Sequence, residues 1–94
     1  MTHSQDTAEA LALEALGWLA GNDELLPVFL GATGCSPDDL RERAAAPDFL
    51  GAVLDFILMD DAFVIAFCDG TGRAYTEVAA ARAALPGGQQ VNWT

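Results

Sequence analysis

The chain has 94 residues, of which 52% are apolar, with a mean hydropathy of +0.26 and a formal charge of −10 from fourteen acids against four arginines and no lysine. That length supports one hydrophobic core and not two, and the apolar content separates the chain from disordered sequences, which join high charge to low hydrophobicity. Phosphate backbones and anionic membranes are bound through excess Lys and Arg, so nucleic acid and membrane are excluded as partners, while a protein with a basic surface is not.

The first residues are polar, and 1–5 are expected to fray, with His3 lacking any nearby ligand partner. Asp6 followed by Glu9 forms a capping-box pattern. From there Leu11, Ala12, Ala15, Leu16, Trp18 and Leu19 recur at helical spacing, with Glu14 opposite and Gly21 as the stop. The start carries no positive n-region ahead of an apolar segment, so no secretory signal is expected and a cytoplasmic location follows. In that compartment Cys35 and Cys68 are expected to be thiols, with Cys35, at a turn, the candidate reactive one.

Asn22, Asp23 and Glu24 offer a second helix start, which Pro27 complicates. Either a single turn covers residues 23–26 and the helix restarts at Pro27, or the helix bends there. Val28, Phe29 and Leu30 are its expected buried residues before the Gly31 to Gly34 stretch closes it. Ser36, Pro37, Asp38 and Asp39 then combine a capping hydroxyl, a proline at the first helical position and acids at the positive end of the dipole. They predict a third helix over 37–45, exposed apart from Leu40 and Ala44, with Asp38–Arg41 and Asp39–Arg43 spaced for ion pairs.

Pro47 opens the central helix. On a helical wheel Phe49, Leu50, Val53, Leu54, Phe56, Ile57 and Leu58 fill an arc of roughly 200°, wider than one neighbour needs. Asp60 is the expected cap of the next helix, where residues 62–68 are apolar almost all round and predict burial. The carboxylates Asp48, Asp55, Asp60 and Asp61 break this apolar region into runs far below the ~20 residues of a membrane span. A loop over 69–73 and a last, alanine-rich helix over 76–85 follow, ended by Pro86, Gly87 and Gly88. Trp93, in the tail 87–94, either docks on the body or is held out for a partner.

Several site chemistries fail on their residue requirements. The glycines of 31–34 and 70–72 follow no strand and carry no lysine, which removes a phosphate loop. One histidine near the start and no nucleophile with a base beside it argue against an enzyme. Residues 28–44 have the outline of a helix-turn-helix, but its second helix would present Asp38 and Asp39 to DNA phosphates. Asp55, Asp60 and Asp61 are the densest carboxylates and the alternative ligand or metal site, although capping accounts for Asp60 and Asp61 without any ligand.

The Leu16–Ala20 stretch, Pro27 to Gly34, the 55–61 segment and the ending Ala83, Ala84, Leu85, Pro86, Gly87, Gly88 with Trp93 resemble the DUF3572 family, short α-proteobacterial proteins of unknown function. The resemblance spans nearly the whole chain. It implies a stand-alone bacterial, cytoplasmic helical domain and assigns no catalytic or binding residue.

The expected fold is all-α: a single domain, a compact orthogonal bundle of five or six short helices containing a helix-turn-helix-like pair. Its predicted core is Leu50, Val53, Leu54, Ile57, Phe63 and Phe67, joined by Trp18 and Phe29. The expected function is a non-enzymatic acidic interaction or adaptor module with no cofactor and no metal, its candidate surface formed by Asp38, Asp39, Glu42 and Trp93. A homodimer, in which a second copy completes the arc of the central helix, is the rival arrangement.

Overall fold

The computed structural model describes residues 4–85. Six α-helices and one 3-10 turn account for most of them: α1 Gln5–Ala20, α2 Leu25–Thr33, the 3-10 turn Pro37–Asp39, α3 Leu40–Arg43, α4 Pro47–Leu58, α5 Asp61–Thr71 and α6 Tyr75–Ala83. The all-α bundle expected from the sequence is the observed fold.

Helix α1 starts one residue ahead of Asp6, because Ser4 rather than Asp6 is its cap and the Ser4 hydroxyl accepts the Thr7 N–H at 3.2 Å. Pro27 neither bends nor restarts α2. The helix begins at Leu25, which puts the proline at its third residue, where an N–H has no partner within the helix. The donors ahead of it are all satisfied by Asn22: its side-chain oxygen accepts from Glu24 and Leu25 at 3.1 and 3.0 Å, and its carbonyl from Leu26 at 2.9 Å. The ring therefore costs no hydrogen bond.

The third helix is shorter than predicted. Residues 37–39 form a 3-10 turn and only 40–43 are α-helical. A proline disfavours helical backbone in the residue before it, and Ala46, preceding Pro47, is extended at φ −96°, ψ 119°. The chain must therefore leave the helix within the alanines 44–46. Leu40 is buried and Ala44 half-buried, the two inward residues expected.

Helix α4 packs on α1, α5 and α6, and Phe29 of α2 adds an aromatic contact from a fourth direction. Phe49 and Phe56, two turns apart on α4, hold the Phe29 ring edge-on between them at 5.9 and 5.2 Å, and Phe56 stacks on Phe63 at 5.2 Å. Leu50, Val53, Leu54 and Ile57 are at most 2% exposed within the single chain. The wide apolar arc packs against the chain's own helices. Trp18 and Phe63 lie at the edge of this core, half-buried, with Trp18 edge-on to the buried Phe67 at 5.6 Å.

Helix α5 departs most from expectation. Its apolar composition predicts burial on all sides, yet only Phe67 and Cys68 are buried. Ala62, Ile65 and Ala66 face solvent, with Ile65 45% exposed between Asp61 and Asp69, one turn away on either side. The helix packs on α4 and α6, and Trp18 of α1 reaches its Phe67, while Ala62, Ile65 and Ala66 stay exposed. It also continues through Thr71, so the predicted loop shrinks to 72–74.

Two helix ends share one construction. In Phe29–Gly34 and Phe67–Gly72 the pattern Phe-x-x-x-Thr-Gly recurs. The threonine hydroxyl donates to the phenylalanine carbonyl at 2.9 and 2.8 Å, and the glycine, at φ 73° and 78°, donates its N–H to the carbonyl four residues back at 2.8 Å in each. Left-handed backbone costs any residue with a Cβ about 1–2 kcal/mol, so glycine ends both helices.

Candidate interaction surface

The sequence-predicted acids lie on the short segment between α2 and α4. Asp38 and Glu42 are exposed, and Asp39 is half-buried, its carboxylate accepting the Ser36 N–H at 3.4 Å. The ion pairs expected from their spacing are not formed: no salt bridge joins Asp38 to Arg41 or Asp39 to Arg43 among the described residues. Arg43 instead lies over the Phe49 ring, 6.0 Å from its centroid. Trp93, the fourth predicted residue, falls outside the described residues.

The remaining arginines are held by carboxylates from other helices. Arg82 of α6 forks onto Asp55 of α4, Nε to Oδ1 at 2.6 Å and Nη2 to Oδ2 at 3.1 Å. It reaches there by lying flat on Gly51, where a Cβ would stand 2.9 Å from Nη1. Arg73 donates to Glu14 of α1 and, at 3.0 Å, to Glu77 of α6. Its hydrogen bond to Glu14 is the main reason its already high pKa is raised further, against the opposing effect of partial burial. Glu77 also accepts the Ala74 N–H at 2.9 Å; alanine offers no oxygen in return, so this is half of a capping box.

The alternative carboxylate site does not assemble from its three members. Asp55 is engaged by Arg82, Asp60 caps α5 by accepting the Ala62 N–H at 2.9 Å, and Asp61 is an exposed first-turn residue. Among the described residues no group of three or more His, Cys, Asp or Glu side chains is placed to hold a metal ion, and no helix there is long and apolar enough to cross a membrane. Cys35 is buried despite its turn position, at 6% exposure, which removes the accessibility its candidacy required. Cys68 is buried as well, and burial, reinforced by the charges of Glu77 and Asp69 against the opposing Arg73, pushes its thiol pKa up.

Two surface hollows stand beside these groups. One, of about 410 Å³, lies at the α5–α6 turn around Cys68, Asp69, Arg73 and Tyr75. Its Tyr75 hydroxyl donates to Asp69 at 3.1 Å, and this bond, with the carboxylate charge, raises the phenol pKa. The other, of about 440 Å³, is a groove between the end of α2 and the start of α4, with Ala32, Ala46, Phe49 and Ala52 as its apolar lining and Arg43 and Asp48 as its charged members. It continues onto the outer side of α2, where Pro27, Val28, Gly31 and Ala32 are all exposed and Val28 is 51% so. This corrects the expectation that Val28 is buried; Phe29 alone is, with Leu30 half-buried. The sequence signal for this surface is the absence of any charged residue over 25–33.

A family model described as "Protein of unknown function (DUF3572)" matches residues 5–88, and the chain belongs to that family. No curated protein and no solved structure matches it.

Proposed function

We propose that this member of the DUF3572 family is a non-enzymatic, cytoplasmic bacterial interaction module that takes a protein partner with a basic surface through the acidic edge formed by Asp38, Asp39 and Glu42. The observation that carries this reading is the allocation of positive charge. Of the four arginines, Arg73 and Arg82 are tied to Glu14, Glu77 and Asp55, Arg43 lies on Phe49, and Arg41 is exposed on α3 beside Glu42 as the one cation on this edge. The exposed carboxylates Asp38 and Glu42 meet no arginine within ion-pair distance among the described residues. An acidic edge of this kind speeds and orients association with a cationic surface more than it adds affinity.

The test is retention of a basic partner by the immobilised chain across a salt series, with wild type beside an Asp38→Asn, Glu42→Gln variant. Both positions are exposed, so the variant keeps the fold. Retention should fall as the Debye length shrinks from ~10 Å at 0.1 M salt towards 3 Å at 1 M, and the variant should weaken it and flatten the salt dependence. Retention indifferent to salt and to both substitutions refutes the reading.

A further inference from the structure

Resting on the reading that the partner is basic, we propose that the groove between α2 and α4 is the docking site for a cationic amphipathic helix of that partner. Its apolar side seats on Val28, Ala32 and Phe49, and its Lys or Arg side chains meet the carboxylates at the two ends of the strip.

Three observations converge on this surface. The first is shape: a hollow of about 440 Å³ with Phe49 and three alanines, Ala32, Ala46 and Ala52, among its lining. The second is continuity, since Ala32 belongs both to the groove and to the outer side of α2, where Pro27, Val28 and Gly31 extend the apolar strip away from it. Exposed apolar area arranged contiguously, rather than as scattered residues, marks a contact surface.

The third is charge. Glu24 stands at the start of α2 and Asp48 in the groove, both exposed, with Glu42 next to the groove residue Arg43. Glu24 and Ala32 are eight residues apart on one helix side, about 12 Å along the axis, or roughly two turns of a partner helix. An apolar strip with acids at its ends fits a helix whose apolar residues recur at i, i+3 and i+4 between basic positions. The alternatives fit worse. A second copy brings its own charge of −10 against the same surface, and an anionic membrane is repelled. Arg43, the one cation lining the groove, is drawn over the Phe49 ring, 6.0 Å from its centroid.

The probes are two synthetic peptides of equal positive charge, a Leu/Lys amphipathic helix and a Lys/Ser peptide with no apolar side. Binding to the full chain is read by fluorescence anisotropy, and the amide shifts of the labelled chain locate the contact. The variants are Ala32→Gln, which puts a bulky polar group into the groove at an exposed helical position, and Ile65→Gln on α5 as a control for loss of any exposed apolar residue. The expected result is preference for the amphipathic peptide, shifts gathered at Ala32, Ala46 and Ala52, and an affinity loss of about tenfold for Ala32→Gln but not for Ile65→Gln.

Equal binding of the two peptides, shifts gathered elsewhere, or an unaffected Ala32→Gln variant overturns the groove while leaving the basic-partner reading standing. Failure of both peptides to bind at low salt overturns both. Unchanged circular dichroism melting of each variant excludes misfolding as the source of a loss.

Discussion

Gly51→Ala tests how α6 is fastened to α4, and its effect should change sign with the residue at position 82. Replacing glycine by alanine inside a helix gains about 1 kcal/mol. Here the added methyl would stand 2.9 Å from Arg82 Nη1 and 3.1 Å from its Cζ, closer than unstrained contact allows. The obstacle is the end of a flexible side chain rather than backbone, so the guanidinium moves and the helix pair survives. The loss is the fork onto Asp55. Because the Asp55 side chain is 59% exposed, solvent screening holds that fork to about 0.5–1 kcal/mol.

The Arg82 side chain is only 17% exposed, and each methylene returned to water as it moves costs about 0.8 kcal/mol more. The net expectation for Gly51→Ala in the wild type is a destabilisation of about 0.5 kcal/mol. In an Arg82→Ala background the methyl meets no guanidinium and the helix gain stands alone, so the same change should stabilise by about 1 kcal/mol. The coupling is then about 1.5 kcal/mol, well above the error of a double-mutant cycle. Urea unfolding of the four proteins, followed by circular dichroism, measures it. Equal effects of Gly51→Ala in the two backgrounds would refute the account of Arg82 resting on bare backbone.

Phe29→Ala removes the ring held between Phe49 and Phe56 at 0% exposure and should cost about 3–5 kcal/mol in the same urea experiment. Gly34→Ala and Gly72→Ala should each cost about 1–2 kcal/mol, and by similar amounts, because neither added methyl has an atom within 4 Å and only the positive φ opposes it. Tyr75 is the single tyrosine, so tyrosinate absorbance follows it alone. Its folded pKa lies above the ordinary value of 10.0, raised by the bond to Asp69. The stabilisation linked to that proton is therefore complete below the unfolded pKa and lost as pH rises through the folded one. Asp69→Asn should bring the titration back down, and an unmoved midpoint would refute the bond. Cys35 and Cys68, both buried, should react with a thiol reagent at least about a hundredfold slower in the native than in the urea-unfolded chain, as read by mass spectrometry.

Helix starts were legible in the sequence and helix ends less so, for a physical reason. A start is announced by side chains that satisfy bare N–H groups, as Asp60 does for α5 and Asn22 for α2. An end depends on what the next residues forbid. The third helix, predicted to Ala45, stops at Arg43 ahead of the extended Ala46 that precedes Pro47, and the loop predicted over 69–73 begins three residues early, because Gly72, with its left-handed φ, is the residue that ends α5. The Phe-x-x-x-Thr-Gly pattern, present at both ends, was the available signal.

The burial error on α5 and the unforeseen groove have a common origin. Apolar composition tells how much a segment gains from leaving water, but not how many neighbours the fold can supply. In a chain this size α4 takes the central position, and α5, next in sequence, buries only Phe67 and Cys68. Asp61 and Asp69, each one turn from Ile65, mark the solvent side that its apolar neighbours obscured. For α2 no such marker exists, because residues 25–33 carry no charge at all. Its inner side is identified by Phe29 alone, and its outer side joins Phe49 and Ala52 only through the folding back of α4. The acidic edge could therefore be read from Asp38, Asp39 and Glu42 in sequence, whereas the apolar socket beside it comes into being when the end of α2 meets the start of α4.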